Sequence, residues 1–216
     1  AFFIYLFYYY RNSQQKQLFN LKNKAQSLEK EKATAMFENL KQQLNPHFLF
    51  NSLTSLSGLI ELDKNTASNF LNQMSVIYRY ILKNADAETV TLKEEMDFVK
   101  MYINIQKTRF NEGFIVNVNV PPEYHHYKIA PVTLQNLIEN AIKHNIIDKR
   151  RPLVIDIFVD DHYLVVRNNL QKKTVVETSN QKGLKQFITL YEYLSDSPVI
   201  IDDSDESVFQ IKIPLI

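Results

Sequence analysis

Apolar positions keep a helical period through the first half of this chain and alternate through much of the second. Leu18, Leu21, Ala25 and Leu28 are spaced by steps of three and four among Lys, Gln, Asn and Glu, and Lys32 and Ala35 extend the row. That narrow seam is the signature of a coiled coil. A lone solvated helix is the alternative, but a seam without a partner is marginal in water, so a parallel dimer is the better reading. Residues 37–62 continue as helix, with Leu40, Leu44, Phe48, Leu59 and Leu62 on one side and Leu49, Leu53, Leu56 and Ile60 roughly opposite. Two stripes imply two packing surfaces, as in a helical bundle shared between subunits. Phe70, Met74, Ile77 and Ile81 mark a further helix, and residues 86–90 read as a polar loop. Thr91-Leu92-Lys93-Glu94 is a capping box, opening a helix whose Leu92, Met96, Val99 and Ile103 share one face.

The texture changes near residue 112. Residues 114–120 alternate in the manner of a strand. Residues 130–144 read as a helix begun by Pro131. Residues 153–159 and 163–166 are β-rich runs around Asp160-Asp161, a hairpin. Residues 184–194 are helical, and 208–213 alternate again into a terminal strand. The class predicted is α+β in two domains: a coiled coil and dimeric helical bundle, then an α/β sandwich with helices over a mixed sheet. The expected divisions are 1–10, 11–36, 37–112 and 113–216.

Composition narrows the chemistry. The chain has 216 residues, 45% of them hydrophobic, and a net charge of +1. That suits a packed core and gives no field favouring nucleic acid, so direct nucleic-acid binding is not expected. The absence of cysteine excludes disulfides, thiolate metal sites and a cysteine nucleophile. Residues 1–10 are apolar and aromatic, with Arg11 and Lys16 after them. Ten residues are too few to span a bilayer, which needs about 20. They read as the end of a truncated transmembrane helix, with tyrosines at the headgroups and cations on the cytoplasmic side. A fortuitous apolar terminus or a core segment is the alternative.

Two constellations carry the chemistry. The first is Gln43-Leu44-Asn45-Pro46-His47-Phe48-Leu49-Phe50-Asn51-Ser52-Leu53, where a histidine follows a proline on an otherwise apolar helix. Pro46 removes one backbone hydrogen bond and kinks the helix, which helps expose the ring. The second is Leu134-Gln135-Asn136-Leu137-Ile138-Glu139-Asn140-Ala141-Ile142-Lys143-His144. Its Glu139, Asn140, Lys143 and His144 fall within about one and a half helical turns. An amphipathic helix with a charged face is the plain alternative for the second segment alone.

The first segment resembles the phosphoacceptor signature N-P-H-F-x-F-N of LytS/YehU-type sensor histidine kinases, present here as Asn45, Pro46, His47, Phe48, Phe50 and Asn51. The second resembles the N-box of the GHKL ATP-binding domains of that family, with Asn136 in place of its proline. Arg79-Tyr80, Leu92 with Glu94-Glu95, Tyr102 and Arg109-Phe110 also sit where the family often carries R-Y, L-x-x-E, Y and R-F. Arg79 and Arg109 are candidates for interdomain or phosphate contacts, with surface ion pairs as the alternative. The resemblance covers residues 37–216. It implies ATP and Mg²⁺ as cofactors and His47 as the phosphoryl acceptor. Asn140 offers an oxygen to Mg²⁺, and Lys143 and His144 offer charge or donors to the triphosphate. Glu139 orients or deprotonates a nucleophile. The family's D-x-G-x-G segment aligns with Val166-Arg167-Asn168-Asn169-Leu170, so Asn168 takes the adenine-contacting place. Its G-x-G-L loop aligns with Gln181-Lys182-Gly183-Leu184, where Gly183 and Leu184 remain. Fewer glycines mean fewer backbone nests for phosphates and weaker nucleotide binding.

Three functional readings follow. The first is a kinase that phosphorylates His47 from ATP and passes the group to an aspartate on a response-regulator receiver with a DNA-binding output. The second is a degenerate kinase acting as a dimeric scaffold or phosphatase. The third is a GHKL ATPase outside signalling, which the His47 segment and coiled coil disfavour. The first implies a homodimer on the cytoplasmic face of the cell membrane.

Overall fold

Capping chemistry punctuates the helical half as its residue types dictate. The computed structural model describes residues 2–3, 7, 11–12, 14–24, 46–173, 180–202 and 204–216. The chain divides into two units, Ala1–Pro46 and His47–Ile216. In the first, helix α1 is described over 14–24, and Leu18, Phe19 and Leu21 are exposed on it. The remainder of the expected coiled coil and residues 37–45 lie outside the described residues, as does most of the apolar 1–10 segment. Among the described residues, no helix is long and apolar enough to cross a membrane.

In the second unit, helices α2 (Pro46–Leu62) and α3 (Lys64–Lys83) are separated by Asp63. Its carboxylate accepts from the Asn65 and Thr66 amides and so starts α3. The α3 stripe Phe70, Met74, Ile77 and Ile81 is buried as its period requires. Strand β1 (Val90–Thr91) occupies the end of the expected loop: Val90 is buried and pairs with Ile129. Thr91 then caps helix α4 (Leu92–Phe110), with both bonds of the capping box present.

After α4, a five-stranded sheet runs in the order β2-β4-β5-β7-β6. Its strands are β2 (Phe114–Asn119), β4 (Leu153–Asp160), β5 (Tyr163–Asn169), β6 (Ile200–Asp202) and β7 (Val208–Pro214). The β2–β4 pair is parallel and the others antiparallel, so the sheet is mixed. Strand β3 (Lys128–Ile129) joins only β1. The β4–β5 hairpin turns at Asp161, whose φ of 57° is the left-handed conformation that Asp tolerates. Helices α5 (Thr133–His144) and α6 (Asn180–Leu194) complete the unit. Leu153, Ile155 and Ile157 of β4 enter the core, whereas Asp156 lies on the other face. There it accepts from Asn117 and pairs with Arg167, a polar ladder across three strands.

The predicted class stands: helices followed by helices over a mixed sheet. The core is continuous from α2 and α3 through α4 into the sheet, with Phe48, Ile77, Val99, Leu134 and Ile155 among its members. Gly113, between α4 and β2, is needed for close approach. A Cβ there would meet Ile147 Cγ2 at 3.2 Å and the Asp148 carbonyl carbon at 3.3 Å. Gly113 thereby lets the loop after α5 settle beside the start of β2.

Candidate functional site

Helix α5 carries four of the residues singled out by sequence, and its start differs from expectation. Pro131 does not open it: the helix begins at Thr133, and Val132 adopts φ 62° and ψ 11° with no side-chain cap of its own. The cap comes from another helix. Glu95 of α4, fully buried, accepts from the Val132 amide at 3.0 Å and the Leu134 amide at 2.9 Å. The Tyr80 hydroxyl of α3 donates to the same carboxylate at 2.7 Å. Burial pushes the Glu95 carboxyl up to about 7, although the bonds from Tyr80, Leu134 and Val132 favour the ion. On the opposite side, the Tyr191 hydroxyl of α6 accepts from the Ala130 amide and shares a bond of 2.9 Å with the Thr133 hydroxyl.

Two turns along α5, Glu139 is half-buried beside two tyrosines. The Tyr102 hydroxyl accepts from Gln106 Nε2 at 2.8 Å and lies close enough to Glu139 to feel its charge. Burial and then the Glu139 charge raise the Tyr102 phenol well above its ordinary value, and the same two causes push Tyr78 up to about 12. Phe48, directly after His47, packs its ring 5.1 Å from that of Tyr102 and 6.3 Å from that of Tyr78. A small cleft beside it is lined by Asn51, Ser52, Ile105, Gln106 and Arg109. The backbone of His47 lies in the first turn of α2; its side chain lies outside the described residues.

The C-terminal end of α5 is cationic. Lys143 and His144 are half-buried there, and Lys173 reaches over from the segment after β5. Lys173 Nζ donates to the Ile142 and Lys143 carbonyls, both at 3.1 Å, closing the helix end. Burial, then the charges of Lys143 and Lys173, lower the His144 imidazole. Burial and the charge of Arg109 lower Lys173 in turn. Buried Asn145 fastens the two segments: its Nδ2 donates to the Ala141 carbonyl and its Oδ1 accepts from the Gln171 amide at 2.6 Å.

The fold thus brings Glu139, Asn140, Lys143 and His144 together on one helix. Asn168 lies apart on β5, buried, with its Nδ2 donating to the Asn169 carbonyl. Gly183 and Leu184 fall in the first turns of α6, and Leu184 packs partly buried against the core. Arg109 places its guanidinium 4.7 Å from the Phe110 ring centroid, while Arg79 is exposed. Glu95, Tyr102, Asn145 and Lys173 were assigned no catalytic or binding role by sequence. Only the first two carried a signal, as the E and Y of the family pattern.

A family model for the histidine kinase matches residues 35–114, which spans the His47 segment and ends at the start of β2. The matched residues make the chain similar to histidine kinases over that stretch. The chain is 34% identical over 139 residues to the sensor protein LytS of Staphylococcus haemolyticus (strain JCSC1435), covering 62% of this chain and 24% of that protein. It is 32% identical over 125 residues to the sensor histidine kinase/phosphatase LytS of Staphylococcus aureus (strain MRSA252), covering 58% and 21%. The chain is thus similar to the LytS-type sensor proteins it matches, and it spans about a quarter of their length or less. Among solved structures, the cytoplasmic segment of histidine kinase QseC aligns with a TM-score of 0.42 at 16% identity, covering 70% of this chain and 93% of that one.

Proposed function

We propose that this chain is the catalytic core of a two-component sensor kinase, in which His47 accepts the γ-phosphoryl group of ATP. The observation that supports this most is the seating of Phe48, next to His47, on Tyr102, whose phenol lies within reach of the Glu139 charge. Acceptor segment and N-box thus meet around one tyrosine. An imidazole nitrogen of His47 attacks the γ-phosphorus in line, the bond to the bridging oxygen breaks, and ADP leaves. Glu139 takes the imidazole proton.

The donor set suits the nucleotide. Lys143, His144 and Lys173 form a cluster in which burial and the charges of both lysines lower His144, so a polyphosphate bound there would offset like charge. Asn140 would hold Mg²⁺ through its side-chain oxygen, with phosphate oxygens and water as further ligands, and the ion would neutralise charge on the phosphates. Asn168 would face adenine, and Gly183 and Leu184 would border the phosphates.

The expected divisions at 10, 36 and 112 belong to this reading, with a membrane span before a coiled coil and a homodimeric bundle. Phe50, Leu53 and Ile60 on α2, and Leu71 and Leu82 on α3, are exposed in the single chain and suit burial against a second copy. The phosphoryl group then passes to a response-regulator aspartate, on the cytoplasmic face of the membrane. A second reading, a phosphatase-competent scaffold with weak nucleotide binding, is favoured by Leu170 in a glycine position. The phosphatase in the Staphylococcus aureus relative's name points the same way.

Incubation with γ-labelled ATP and Mg²⁺ separates the readings. The kinase gives an acid-labile, base-stable label that His47→Ala abolishes. Absence of both label and nucleotide binding in the unaltered chain would sink it.

A further inference from the structure

The start of α5 is held by groups from two other helices, Glu95 of α4 and Tyr191 of α6, and α3 reaches it through Glu95. Val132 supplies no side-chain cap, so the Val132 and Leu134 amides rely on the Glu95 carboxylate, at 3.0 and 2.9 Å. The oxygen that serves Val132 also accepts from Tyr80 at 2.7 Å. Tyr80 is fixed in turn by its ring, stacked 4.2 Å from that of Phe98. A continuous path therefore runs from α3 through Tyr80 and Glu95 to the first turn of α5. Glu139 and Asn140 follow Leu134 by five and six residues on the same rigid helix.

We infer that Glu95 is a positioning residue, a clasp through which the placement of α3 sets the position of Glu139 and Asn140. This rests on the proposed nucleotide role of α5. A capping carboxylate supplied by a different helix constrains more than a local cap does. If α3 shifts along its axis, as bundle helices do in signalling transitions, Tyr80 draws on the carboxylate and α5 either follows or loses its cap. The groups facing Glu95 are the Tyr80 hydroxyl from α3, the α5 amides, and Tyr191 from α6, with Glu94 beside it on α4. Burial raises its carboxyl, against the bonds from Tyr80, Leu134 and Val132, which favour the ion.

The test uses Glu95→Gln and Tyr80→Phe in the whole chain, with amide hydrogen exchange and γ-ATP labelling as the readouts. Tyr80→Phe keeps the stacked ring and removes one donor, so it covers the event that Glu95→Gln does not fold. Exchange at 133–137 should quicken by about five- to thirtyfold in Glu95→Gln, the consequence of losing a helix cap, while β4 and β5 stay protected. Labelling should slow by a similar factor, and its dependence on pH should change. Unchanged exchange in both variants would overturn the clasp. Quickened exchange with labelling and its pH profile unchanged would reduce Glu95 to a structural cap and overturn the positioning role. Exchange needs no nucleotide, so quickened exchange in a chain that never binds ATP would support the clasp and defeat the kinase reading.

Discussion

At the scale of single residues, the informative groups are those whose charge the fold has made costly. Glu95 is fully buried, and its carboxyl is raised from 4.5 to about 7. For a carboxyl raised on folding, the folded state binds more protons than the unfolded one between these values. The associated stability is complete below pH 4.5 and is lost as pH rises through 7. At roughly 1.4 kcal/mol per pKa unit, the loss is about 3 kcal/mol. Urea unfolding at pH 5 and pH 8 should show that difference, and Glu95→Gln should flatten it. His144 gives a complementary expectation. Its imidazole is lowered by burial and by Lys143 and Lys173, so ATP bound beside it should raise the pKa; NMR titration with and without nucleotide reads the sign. The acceptor motif and the N-box were legible in the sequence because each is contiguous and chemically dense. The Glu95 cap was not legible as a cap, since it lies 37 residues before Val132 and only the fold brings the two together. Lys173 was equally hidden. Nothing in its sequence neighbourhood says that its ammonium bonds the Lys143 carbonyl, 30 residues earlier, at the end of α5.

At the scale of elements, local signals gave the helices and nonlocal pairing decided the rest. The Thr91 capping box and the α3 stripe behave as their spacing predicts, because both are satisfied within a few turns. The start of α5 was misplaced because a left-handed Val132, which no local rule favours, is held by a distant carboxylate. Strands β3 and β6 went unread, since two or three residues carry no period and are defined only by their partners. Helix α2 depends on Phe48, 3% exposed and set among Tyr78 and Tyr102. Phe48→Ala should cost about 3–5 kcal/mol in denaturant unfolding, with hydrogen exchange rising first in α2. Loss of under 1 kcal/mol would mean that the acceptor segment is not anchored through this ring.

At the scale of the molecule, a helical layer and a mixed sheet share one core, and the proposed site lies where they meet. α4 serves both sides: it supports Phe48 through Tyr102 and α5 through Glu95. The exposed apolar positions of α2 and α3 set the expectation for assembly. Leu53→Glu with Ile60→Glu should shift sedimentation from dimer to monomer while leaving the fold intact, because both side chains face solvent in the single chain. Glu139, beside Tyr102 and the acceptor segment, is the proposed base for phosphorylation of His47. The most direct measurement is the labelling rate of Glu139→Gln at saturating γ-labelled ATP, with His47→Ala defining zero. We predict a fall of about 100-fold or more with ATP affinity nearly unchanged, as removal of a general base requires. Labelling at the unaltered rate would exclude Glu139 as the base, and a label that persists in His47→Ala would exclude His47 as the acceptor.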